Sequence, residues 1–137
     1  MKLRKVLIGL GVLALIIVVG FVAITRELTK ADKIMATVKV NPEGVSEVLE
    51  TLADGQYQGE FNPSKLVGAT VKVTVKDHAI AAIELVEHNA WRGRPAEVLP
   101  DQVIAAQTLA VDFVSGATAS SKVILIAIEN AIRGAKQ

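Results

Sequence analysis

The residues whose types and spacing could do chemistry lie close together near the C-terminus. Asp112 to Thr118 reads DFVSGAT and runs into an almost continuous apolar stretch, Val123 to Ile128. Gly116 lets the backbone turn tightly and lets a ligand come close. Ser115, Thr118, Ser120 and Ser121 supply hydroxyls. If the apolar stretch is a helix, its first turn adds N–H groups without internal partners and the positive end of a dipole. Such a set of donors suits an anion, and a phosphate above all. A plainer reading stands beside this one. Ser or Thr before a helix is an ordinary N-cap, and Ser-Gly is an ordinary turn. The segment alone does not separate the two.

A second stretch, His88 to Pro95 (HNAWRGRP), has the composition of a loop over a ligand. Arg92 or Arg94 would reach a phosphate or offset negative charge on a ligand. Trp91 would cover an aromatic ring, and His88 would offer a hydrogen bond. Each also has a purely structural reading, a satisfied histidine after a strand being the commonest. His78 and His88, with no carboxylate at helical metal spacing, do not make a metal centre. Glu84 and Glu87 read as solvated strand residues. No Ser-x-x-Lys, G-x-S-x-G or phosphate-loop motif occurs.

These candidates need elements to position them. The chain has 137 residues, enough for one domain, and a mean hydropathy of +0.43. Much of that hydropathy is at the N-terminus. Lys2, Arg4 and Lys5 precede Val6–Thr25, which contains no charge. Twenty helical residues rise about 30 Å, the thickness of a bilayer core. Val22, Ala23 and Ile24 lead straight into Arg26 with no small-x-small cleavage pattern, so a retained anchor over residues 1–25 is expected rather than a removable signal. The short basic tail places the N-terminus in the cytoplasm and the domain outside the cell membrane, although Arg26, Lys30 and Lys33 follow the span closely. All 14 acidic residues lie beyond the span, while three of the 15 basic residues precede it, so the remainder carries a charge of about −2. That balance offers no basic stripe for nucleic acid. The absence of cysteine excludes thiolate metal sites, disulfides and a lipidated N-terminal cysteine.

Residues 26–40 are expected to extend the anchor as a helix or to act as a stalk, and residues 41–137 to form the domain. Asn41 and Pro42 look like the N-cap and first residue of a helix whose apolar face is Val45, Val48, Leu49 and Leu52, ending after Asp54 at Gly55. Gly55–Phe61 reads as a short strand. In Leu66–Lys76, Val71, Val73 and Val75 alternate with Lys72, Thr74 and Lys76. Asp77-His78 forms a tight connection, and Ala79–Glu87 returns antiparallel. Pro100 opens a short helix through Gln107. Ala119–Arg133 is a terminal helix, buried at the centre and closed by Arg133-Gly134 through the dipole and a glycine cap. The order of elements argues for an α+β fold: a transmembrane helix, then a small domain with an antiparallel sheet packed by helices.

The stretch DFVSGATASSKVILIAIENAI resembles the signature of the FMN-binding domain family, in which an Asp-x-x-Ser/Thr-Gly-Ala-Thr/Ser segment is the target of a flavin transferase. ADGQYQGEF resembles the family's first strand, VKVTVKDHAIAAIELVEH its hairpin, and HNAWRGRPAEVLPDQVIAAQTLAVDFVSGATASS the run into the flavin site. The resemblance covers about Leu52 to Ile132. The terminal motif is specific, and the strands alone are weak. The family includes exported subunits of sodium-pumping NADH:quinone reductases and of Rnf complexes, besides small stand-alone domains, which this chain resembles in size. One departure is His78, where the family often has glycine in the hairpin turn.

The resemblance implies that Thr118 accepts FMN through a phosphodiester, with a transferase using FAD as donor and releasing AMP. It implies that Asp112, Ser115, Gly116 and Ala117 are read by the transferase, and that the segment with Ser120 and Ser121 later cradles the phosphate. His88, Arg92 and Arg94 become candidates for flavin contact. The expected function is that of a membrane-anchored carrier, taking electrons from a membrane donor and giving them to an extracytoplasmic acceptor, rather than that of a stand-alone enzyme. The alternative is an anchored binding or assembly module without redox work.

Overall fold

The computed structural model describes residues 1–90 and 92–135. Lys2–Thr37 forms one helix, α1, of 36 residues, about 54 Å at the usual rise. It contains the apolar run and continues without a break to Thr37, through most of the 26–40 segment expected to be a helical extension or a stalk. The side chains from Val6 to Ile24 are exposed, an apolar surface that water does not favour and a bilayer does. Among the described residues this is the one helix long and apolar enough to cross a membrane. Past Thr25 its character changes. Ala31 and Met35 are buried against the domain. The Lys65 N–H donates to Glu27 Oε2 at 3.2 Å, and Lys122 Nζ donates to the Met35 carbonyl, so both ends of the extension are held.

Glu43–Leu49 is α2, preceded by Pro42 in helical geometry. The Gly44 N–H donates to Asn41 Oδ1 at 3.2 Å, the capping bond expected of Asn41. The helix ends at Leu49, earlier than the Gly55 signal suggested. The backbone beyond it is drawn to the sheet: the Leu49 carbonyl accepts from His78 Nδ1 at 3.2 Å, and Asp54 Oδ1 accepts from the Asp77 N–H at 2.8 Å.

Three strands follow, β1 (Gly55–Phe61), β2 (Val67–Lys76) and β3 (Ala79–Ala90), in one antiparallel sheet of order β1-β2-β3. Val71, Val73 and Val75 are buried and Lys76 is exposed, as the alternation requires. On β3 these valines pair with Leu85, Ile83 and Ile80, and two register shifts leave Val86 and Ala81 as bulge residues. Asp77 (φ 52°) and His78 (φ 62°) both lie in the left-handed region, so the hairpin has a two-residue turn of the primed type without glycine.

After a 3₁₀ turn at Arg94–Val98, α3 runs Leu99–Ala106. Gln107 ends it with φ 54°, and its amide exchanges hydrogen bonds with the Ile80 N–H and carbonyl, both at 2.8 Å. The last helix, α4 (Thr118–Gly134), lies across β1 and β2 with Val123 to Ile128, Ala131 and Ile132 buried. Gly59 permits this approach, since a Cβ there would lie 2.2 Å from the Ala127 carbonyl and the Ala131 nitrogen. The expected glycine cap is not present: Gly134 is the last helical residue, and Ala135 follows in right-handed helical geometry. Arg133 instead pairs with the buried Glu129 at 3.2 Å, whose other oxygen accepts the Asn41 N–H at 3.0 Å. The fold is α+β, with one face of a small sheet covered by helices and an apolar helix leading into it.

Candidate functional site

The segment before α4 is irregular from Leu109 to Val114 and then turns sharply. The Ala117 N–H donates to the Val114 carbonyl at 2.9 Å around Ser115 and Gly116, and Gly116 has φ 77°. Glycine at the third position with that φ is the mark of a type II turn. A Cβ on Gly116 would meet nothing within 4 Å, so the glycine serves backbone geometry and leaves the space beside it open.

Thr118 is the first residue of α4, and Ala117 is the N-cap. The plain reading of the motif as a hydroxyl cap therefore does not hold: no side-chain capping bond is made, and among the described residues the exposed Thr118 hydroxyl has no hydrogen-bond partner. The first bond of the helix runs from the Ser121 N–H to the Ala117 carbonyl at 2.8 Å. This leaves the N–H groups of Thr118, Ala119 and Ser120 without an intrahelical partner at the positive end of the dipole.

Ser121 plays a different part from Thr118. It is fully buried, its Oγ accepts the Val114 N–H at 3.0 Å and donates to the Ala117 carbonyl at 2.8 Å. One hydroxyl thus ties both ends of the turn to α4, and its bonding is spent on the scaffold.

Gly116, Ala117, Thr118, Ala119 and Ser120 line one side of a cavity of about 170 Å³. Arg92 and Gly93 line another, and Val67 with four residues of α1, Leu28, Ala31, Asp32 and Met35, completes it. Gly93 is required by space alone. A Cβ there would lie 1.7 Å from Ser120 Oγ, so the chain after β3 closes directly on the start of α4.

The other expected site residues stand outside this cavity. Ser115 is exposed on the turn, and Arg94 opens the 3₁₀ turn with its side chain exposed. Asp112 lies on a separate shallow face with Phe113, Val98 and Gln102. The His88 side chain is only 3% exposed and its Nδ1 is 3.0 Å from Glu97 Oε1. This bond links the end of β3 to the 3₁₀ turn and so braces the base of the Arg92-Gly93 loop. Its Nε2 has no partner among the described residues. Trp91 lies outside the described residues.

The donor set fits a flavin phosphate. Thr118, Ala119 and Ser120, whose N–H groups have no intrahelical partner, line the cleft together with Arg92, and its remaining wall is largely apolar. The model of the FMN-binding domain family matches residues 68–133. The chain carries a domain of that family, a flavin-binding α+β domain, and the N-terminal apolar helix is consistent with a stand-alone, membrane-anchored member. The match starts in β2, so β1 joins the domain through its seven-residue pairing with that strand. A search of curated proteins found no match.

Sequence reading missed Leu28, Ala31, Asp32 and Met35 as site residues, along with Gly93. The apolar positions 28, 31 and 35 have helical spacing and were legible as a face, but nothing in the sequence says that this face meets the flavin segment.

Proposed function

We propose that the protein is an extracytoplasmic electron-transfer flavoprotein, held to the membrane by α1 and carrying FMN in phosphodiester linkage to Thr118. The observation that carries this reading is the Thr118 hydroxyl: exposed, not engaged as a cap, and set in the cavity beside three unpaired N–H groups, within the segment that matches the family. A flavin transferase using FAD would join Thr118 Oγ to the flavin-side phosphorus as the pyrophosphate P–O bond breaks, with AMP and the hydroxyl proton leaving. Asp112 is exposed and lies on a separate surface region outside the cavity, which suits recognition by the transferase better than contact with the cofactor.

Bound FMN would supply the redox chemistry, and the chain attachment, orientation and charge. The N–H groups of Thr118, Ala119 and Ser120 would hold the phosphate, with Arg92 adding positive charge. The cavity is smaller than the roughly 300 Å³ at which sites for whole small molecules begin, so part of the flavin stays open to partners. That exposure favours a carrier over an enzyme with a second substrate pocket. The membrane donor and extracytoplasmic acceptor are parts of the same reading, as is a cytoplasmic N-terminus.

Purified full-length protein from a host with the transferase should show flavin fluorescence in a denaturing gel, and Thr118→Ala should show none. Fluorescence retained by the variant refutes attachment at Thr118, and a colourless wild type favours the non-redox binding module.

A further inference from the structure

The cavity at Thr118 is not built by the flavin-binding domain alone. Leu28, Ala31 and Met35 are spaced i, i+3 and i+7 and form one stripe of α1, which faces the start of α4, while Arg26, Lys30 and Lys33 lie on another side with Thr29 and Ile34. Ala31 and Met35 are buried by this contact. Two polar clasps hold it in register, Glu27 with the Lys65 N–H and Lys122 with the Met35 carbonyl, and Lys122 belongs to the first turns of the helix that carries Thr118. Asp32 and Arg92 are the only charged residues in the cavity wall among the described residues, one from each side.

We infer that the extension of the anchor helix is part of the flavin site: Leu28, Ala31 and Met35 form the apolar surface against which the isoalloxazine ring lies, and Asp32 sets its electrostatics against Arg92. The inference rests on the proposed attachment at Thr118 and adds what that reading lacks, a place for the ring. A flavin tethered at Thr118 reaches either solvent or this wall, and an apolar aromatic surface gains by leaving water. The consequence is positional. Leu28 is three residues beyond the apolar run and Met35 ten, so the wall stands about 5–15 Å along the helix axis from the membrane edge. The anchor then fixes the ring at a defined height above the lipid, where a flexible tether would let it wander.

The test uses full-length flavinylated protein in detergent or nanodiscs, with visible-region circular dichroism of the flavin and its midpoint potential as readouts. Ala31→Trp fills the wall or pushes it away and should abolish the induced dichroism, while flavin in a denaturing gel persists. Ala36→Trp, on the exposed side of the same helix, should leave the dichroism as in the wild type. Asp32→Asn, a mild change at an exposed position, should shift the midpoint potential to a more positive value, because a negative charge near the reduced flavin is removed. Arg92→Gln should shift it the other way, and both shifts should shrink with added salt. An Ala31→Trp protein with wild-type dichroism overturns the inference, as does equal loss in Ala36→Trp or an Asp32→Asn potential unchanged at low salt. If the wild type itself shows no gel-stable flavin, the attachment at Thr118 fails first, and the two failures are thereby told apart.

Discussion

Two tight turns in this molecule put backbone into the left-handed region, and they are built in opposite ways. The hairpin turn uses Asp77 and His78, two residues that pay for positive φ. Both are strapped down, Asp77 by its N–H to Asp54 and His78 by its ring to the Leu49 carbonyl. The turn before α4 uses Gly116, which adopts φ 77° without cost, and nothing fills the space a Cβ would occupy. The first turn spends side chains to hold a structure. The second withholds them, and its one strap, Ser121, comes from beneath. In this molecule the strained turn is the strapped one, and the relaxed turn is the one with open space and an unengaged hydroxyl beside it.

That contrast is broken most directly at Thr118. Thr118→Ala should remove all gel-stable flavin and change unfolding free energy by less than about 0.5 kcal/mol, because an exposed hydroxyl without a partner contributes little to the fold. Urea unfolding of the flavin-free forms of both proteins measures this. A loss of 1 kcal/mol or more would mean that the hydroxyl is structural after all.

Ser121→Ala attacks the same turn from its buried side. It leaves the Val114 N–H without its acceptor, a loss of about 1–3 kcal/mol. Flavin attachment should fall as well, since the turn that presents Thr118 loosens. Full attachment in a destabilised protein would show that the transferase reorders the segment itself. Gly116→Ala should cost about 1–2 kcal/mol through backbone strain alone, the space being open. A matched unfolding curve that shows no loss would mean that the turn can relax to a negative φ.

Much of this arrangement was legible in the sequence. The valines of β2 declared a strand with one buried face, Asn41-Pro42 a helix start, and DFVSGAT a turn feeding a helix. Each of those signals is local, set by side-chain period or by residues whose backbone preferences are strong. What the sequence withheld was contact between distant elements. The Leu49 carbonyl at the end of α2 is taken up by His78, 29 positions away. Gly93 is needed only because Ser120 lies against it. The part of the site on α1 is nearly 90 positions from α4, and its apolar stripe reads as any helix face until the domain is folded against it. The glycine cap at Gly134 is absent for a local reason: Gly134 stays helical and Ala135 follows in right-handed geometry, while Arg133 pairs with Glu129 one turn back on the same helix.

The smallest effect should come from the hairpin turn. His78→Gly relieves about 1 kcal/mol of left-handed strain. Against this, glycine adds freedom to the unfolded chain, about 0.4–1 kcal/mol, and the bond to the Leu49 carbonyl is lost, about 0.5–1.5 kcal/mol. The terms partly cancel, and the net change should be a destabilisation of no more than about 1.5 kcal/mol. The flavin should not notice. The turn stands at one end of the β2–β3 ladder and the cavity at the other, where Val67 begins β2, about 30 Å along a ten-residue strand. Urea midpoints and the flavin dichroism of His78→Gly and wild type, measured side by side, test both halves. A clear gain in stability would show that the ring's bond to Leu49 contributes nothing and that His78 is merely strained. A changed flavin spectrum would show that the ladder transmits the state of one turn to the other, and the two turns would then have to be treated as one device.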